Sequence, residues 1–157
     1  MQKLKTLALA SLIFGATVST VLGQQAAKNT FVNKDNVALG GYDVVAYFTQ
    51  NEAVRGNKKF AINHGGATYW FTDLENKTKF ESNPEQFLPQ FGGYCAFAVA
   101  MKGAKVPSDP RTFKLHDGKL YLFFNDYYEG APFNTIIPWN ADEVAMLKKA
   151  KNNWKKM

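Results

Sequence analysis

Polar and apolar positions alternate over Arg111-Thr112-Phe113-Lys114-Leu115-His116, the period of two that marks a half-buried strand. Asp117-Gly118 follows, a pair suited to a type I′ turn, and Lys119-Leu120-Tyr121-Leu122-Phe123-Phe124 returns with both faces largely apolar. The pattern predicts a hairpin whose second strand is central. Another hairpin is predicted from the runs at 59–63 and 67–71, joined by His64-Gly65-Gly66, whose glycines permit positive φ.

Between the hairpins the spacing turns helical. Thr72-Asp73-Leu74-Glu75 fits a capping box, with Thr72 accepting from the first turn and Glu75 reaching back. Asn83 is a good N-cap, Pro84 suits the first helical position, and Phe87, Leu88 and Phe91 can pack inward before Gly92-Gly93. Residues 94–101 are apolar throughout and Lys102-Gly103 supplies a stop, so a helix there is buried on nearly every face. Near the end, Asn140-Ala141-Asp142-Glu143 offers another capping box. A last helix follows with Val144, Leu147, Lys151 and Trp154 on one stripe, and its late lysines complement the negative helix end.

Other stretches are harder to type. Phe31-Val32 and Val37-Ala38-Leu39 read as short extended pieces, and 42–48 fits either a strand or a single helical turn, with its β-branched and aromatic residues favouring strand. After Phe124 the chain runs through Pro132 and Pro138 as an irregular aromatic segment. The pattern as a whole predicts an α+β fold: a small antiparallel sheet built from two β-hairpins, packed with three to four short helices.

The first 23 residues change the domain count. Lys3 and Lys5 give a basic start, 7–14 with Ala16 and Val18 give an apolar centre, and Val21-Leu22-Gly23 ends in a small residue suited to signal peptidase. The expectation is a signal peptide at 1–23, a flexible lead at 24–30 and one globular domain at 31–157, in a periplasmic or extracellular protein. Cleavage would leave 134 residues, the 157 of the chain less 23, and a formal charge of +4, the +6 of the chain less Lys3 and Lys5. That size suits one core. No dense basic block suggests nucleic acid, and no later segment has the roughly 20 continuous apolar residues of a membrane span. Cys95 is the only cysteine, so no internal disulfide forms, and a 15% aromatic content must build the core without crosslinks.

Five motifs stand along the chain: Gly41-Tyr42-Asp43-Val44-Val45-Ala46-Tyr47-Phe48, Gly66-Ala67-Thr68-Tyr69-Trp70-Phe71, Asn83-Pro84-Glu85 and Gly92-Gly93-Tyr94-Cys95-Ala96, with Asp117-Gly118-Lys119-Leu120-Tyr121 downstream. Together they resemble the exported bacterial YHS-domain proteins. The wider group is associated with metal handling, so the resemblance implies soft-metal chemistry as one expectation. Members that handle metal often place cysteines after the aromatic strand. Here Thr72-Asp73 stands there, which excludes a multi-cysteine site.

The candidate chemistry centres on Cys95. Two glycines precede it and it opens a predicted helix, where free backbone amides favour a thiolate; the same residue reads equally as a small apolar side chain in a buried helix. His64 and His116, at the two hairpin turns, are candidate ligands that with Cys95 would bind copper or zinc, and Met101 could add a thioether for reduced copper. A redox protein using Cys95 with an external partner, and a non-catalytic structural or interaction module, are the alternatives. Asp43 and Asp109 read as turn residues. No Ser-His-Asp order, phosphate loop, dinucleotide fingerprint or HExxH pattern points to a standard enzyme class.

Overall fold

The computed structural model describes residues 29–157. The predicted signal peptide, 1–23, and positions 24–28 of the predicted lead lie outside the described residues. The remainder is an α+β fold in which antiparallel hairpins alternate with short helices. In chain order these are α1 (Ala46–Gln50), the hairpin β1 (Asn57–His64) and β2 (Ala67–Phe71), α2 (Leu74–Ser82), α3 (Pro84–Phe87) and α4 (Ala96–Lys102). A second hairpin, β3 (Asp109–His116) and β4 (Lys119–Phe123), leads to a third, β5 (Asn125–Tyr128) and β6 (Ala131–Asn134), and then to α5 (Ile136–Ala141) and α6 (Glu143–Trp154). Each hairpin is its own two-stranded sheet.

Strand β4 explains how these pieces share a core. Its side chains alternate between faces. Leu120 and Leu122 enter one cluster with Leu39, Val44, Tyr47, Tyr69, Phe71 and Phe80, while Tyr121 and Phe123 enter another with Phe91, Val99, Trp139 and Ala150. A strand that serves two cores must be apolar at consecutive positions, and this is the run seen in the sequence. The turn before β4 has Asp117 at φ 48° and Gly118 at φ 65°, as a type I′ turn requires. On its other edge β4 meets Cys95 through a parallel bridge at Leu122, so the strand is central as expected.

Four local expectations are corrected. Within 42–48 a helix wins over a strand, because the Asp43 carboxylate accepts from the Val45 and Ala46 N–H groups at 2.8 and 3.3 Å and so starts α1. The N-cap of α2 is Asp73, which accepts from the Asn76 N–H at 2.8 Å; the Thr72 hydroxyl donates to Asp43 instead. The irregular aromatic segment is the hairpin β5–β6, turning at Glu129 (φ 52°) and Gly130 (φ 82°). In α6, Val144 is 82% exposed, and Leu147, Ala150 and Trp154 carry the packed stripe behind an Asp142 N-cap.

Candidate functional site

The backbone around Cys95 is shaped by three consecutive residues in the left-handed region, Phe91 (φ 55°), Gly92 (φ 62°) and Gly93 (φ 82°). At Gly92 a side chain has no room, since a Cβ would lie 1.7 Å from the Asn29 carbonyl oxygen. Beyond this turn the Cys95 N–H donates to the Val106 carbonyl at 2.9 Å, and Cys95 becomes the N-cap of α4. Its Sγ accepts from the Ala98 N–H at 3.5 Å and lies 3.3 Å from the Thr135 hydroxyl oxygen. Thr135 commits its single proton to the Phe124 carbonyl at 2.9 Å, which leaves the Cys95 S–H as the donor to Thr135. The thiol is thus paired in both senses, and the residue is 0% exposed.

A small apolar cavity of about 90 Å³ lies against Cys95 and Thr135. Phe97, Phe124, Tyr128 and Phe133 form much of its wall, so the cavity lies between α4 and the hairpin β5–β6. Tyr128 and Phe133 meet with tilted rings at 6.0 Å, and Lys102 donates to the Tyr128 hydroxyl at 3.3 Å. Sequence reasoning missed both this hairpin and Thr135. Glu129-Gly130 was the available signal for the turn, masked by Pro132 in the return strand; nothing local marks Thr135 as the partner of a cysteine forty positions away.

The histidines stand elsewhere. His64 ends β1 and packs its ring against Phe80 at 5.5 Å and Tyr69 at 6.4 Å, in the first cluster. His116 ends β3 with Nδ1 3.4 Å from the Glu143 carboxylate and Nε2 3.3 Å from that of Asp117. Cys95 bridges Leu122 whereas His116 pairs with Lys119, three residues along β4 and on its opposite edge. That places the two roughly 10 Å apart along the strand and about as far across it. Met101, half exposed, is six residues beyond Cys95 on α4, about 9 Å along the helix axis. The structure therefore does not bring Cys95, His64 and His116 together, and among the described residues no three His, Cys, Asp or Glu side chains form a metal-holding group.

The charged and phenolic groups near the cores are held in structural pairs. Glu143 feels burial, which raises its pKa, but hydrogen bonds from Lys114 (2.9 Å) and the Trp139 indole (3.0 Å) with the Lys114 charge outweigh this and hold it below its ordinary 4.5. A carboxyl with a depressed folded pKa stabilises the fold fully above its unfolded value and loses that contribution as pH falls through the folded one. The melting temperature is accordingly expected to drop as pH is lowered below 4.5, and to drop less steeply in Glu143→Gln; equal slopes would contradict the assignment. Asp109 is likewise held low by Arg111 against the opposing effect of burial, and its carboxylate accepts from the Arg111 N–H at 3.0 Å, the turn role expected of it. Burial pushes the Tyr47 hydroxyl far above its ordinary range, and it donates to the Pro110 carbonyl at 2.7 Å. No family model, no curated protein and no solved structure matches this chain.

Proposed function

We propose that the chain is an exported, non-catalytic module of the YHS-domain kind, in which Cys95 is a structural thiol and the hairpin β5–β6 presents the surface that meets a partner. The basic and apolar start of the chain supports export, and the combined motifs around Gly41, Asn83 and Gly92 support the YHS kind. The pairing and complete burial of Cys95 is the observation that carries the reading. A reactive thiol must be reached by its substrate, and a satisfied, buried one is inert. The hairpin, by contrast, is exposed: Tyr127 is 71% and the neighbouring Ile137 68% exposed, with Tyr128 and Phe133 on the face towards α4.

The test is thiol labelling of the folded protein across pH, with and without cuprous or zinc ions, beside a Cys95→Ser control. The expected result is a thiol that stays silent in every native condition and a melting temperature that the ions leave unchanged. Cys95→Ala is expected to lose about 1–2 kcal/mol of stability through a small cavity and an unpaired Thr135 acceptor, read from denaturant unfolding. Labelling that is rapid and suppressed by metal would overturn the reading. It would favour a second one, a soft-metal site for copper or zinc, which the cavity beside Cys95 and Thr135 supports. In that reading Cys95 is the thiolate ligand, and ligands from outside the chain complete the site after the hairpin moves. Rapid labelling that metal leaves unchanged would favour a redox thiol instead.

A further inference from the structure

We infer that the groove between the start of β4 and the end of α6 is a binding site for a small organic anion bearing a planar apolar part. The groove has a volume of about 640 Å³ and is lined by Phe91, Lys119, Lys151, Trp154, Lys155 and Glu85 among others. Volumes of roughly 300–1,000 Å³ are typical of small-ligand sites.

Two elements bring the cations together. Lys119 leaves the Asp117-Gly118 turn at the start of β4, while Lys151 and Lys155 are four apart at the end of α6 and so share a face. All three are exposed, and among the described residues none takes part in an ion pair. Three lysines against the single Glu85 leave the lining with two positive charges in excess. The negative end of α6 accounts for lysines at 151 and 155. It does not account for Lys119 converging on them from another element, or for a cavity between them.

The wall supplies the apolar half. Trp154 is partly exposed and meets Phe91 edge to face at 5.9 Å. Phe91 holds a left-handed backbone (φ 55°), a conformation that a bulky side chain adopts only under constraint, and such strain gathers at binding sites. Lys105 lies 5.5 Å from the Trp154 ring centroid and donates at 3.0 Å to Asn29, which also lines the groove. A planar group can stack on Trp154 while its anionic substituent reaches the lysines, with carboxylate and phosphate both suited to that end.

The experiment is a titration of the isotope-labelled protein with phenyl phosphate, benzoate, inorganic phosphate and uncharged benzamide, following the Trp154 indole and Lys119 amide resonances. Saturable shifts at both positions are expected from at least one aryl anion, with weaker binding of inorganic phosphate and benzamide. Lys119→Gln and Lys151→Gln, both at exposed positions, are each expected to weaken the aryl anion about tenfold. The inference is overturned if neither aryl anion saturates, if benzamide or inorganic phosphate binds as tightly as the aryl anion that does, or if the lysine variants bind that anion unchanged.

Discussion

Replacing Asp43 with Ala is expected to remove about 3–5 kcal/mol of unfolding free energy, the cost of leaving several buried donors without their acceptor. The Asp43 carboxylate is 0% exposed and accepts five hydrogen bonds. One oxygen takes the N–H groups of Val45 and Ala46; the other takes the Thr72 N–H, the Thr72 hydroxyl and the Asn76 side-chain amide at 2.8, 2.9 and 2.8 Å. It thereby ties the start of α1 to the end of β2 and the first turn of α2, elements far apart in the chain. Asp43→Asn keeps the shape but points an amide at groups that also donate, and is expected to fall between the wild type and Asp43→Ala. Urea unfolding measures both; a loss under about 1 kcal/mol for Asp43→Ala would mean that water replaces the carboxylate at little cost.

Trp139→Ala is expected to cost a similar amount, about 3–5 kcal/mol, for a different reason: lost burial and a residual cavity. Among the described residues Trp139 is the largest fully buried side chain, meeting Phe123 edge to face at 5.3 Å and Tyr121 with tilted rings at 6.0 Å from the second-cluster face of β4. Its indole N–H donates to Glu143 at 3.0 Å, so the ring also positions the carboxylate that binds Lys114. Trp139→Phe retains most of the apolar contact and is expected to cost about 1–2 kcal/mol, with part of that cost reflecting the freed carboxylate. If the two variants unfold at the same denaturant midpoint, packing is not what Trp139 contributes.

Much of this fold was legible because local chemistry and burial agree. The Asp117-Gly118 turn, the doubly apolar β4 and Pro84 at the first position of α3 each follow from a residue's own constraints, and each stands where expected. Errors arose where a particular hydrogen bond, local or distant, decided the outcome against composition and spacing. Thr72 is a good N-cap by type, but Asp43, twenty-nine positions earlier, takes its hydroxyl and the cap passes to Asp73. Residues 42–48 look like a strand by composition, and the same buried carboxylate makes them begin a helix. Val144 fits the helical stripe by spacing, yet Asp142 starts α6 with Val144 turned to solvent.

The site was legible only in part. That Cys95 would open a helix after two glycines could be read from Gly92-Gly93-Tyr94-Cys95 and the apolar run behind it, and the cap is present. Its neighbours could not be read. Two histidines at hairpin turns are plausible ligands only if the hairpins converge there, and the separate hairpin sheets put His64 in one cluster and His116 beside Glu143. Thr135 meets Cys95 because the β5–β6 hairpin folds back towards α4, a tertiary outcome with no local signature.

The rate of Cys95 labelling across urea concentrations below the unfolding transition decides whether the thiol is reached in the folded protein. The thiol is expected to react only through global opening, so that the free energy and denaturant slope obtained from labelling equal those of equilibrium unfolding. Labelling that is fast and insensitive to urea would contradict it, showing that the thiol is reached by a local movement of β5–β6 and is available for chemistry in the folded protein.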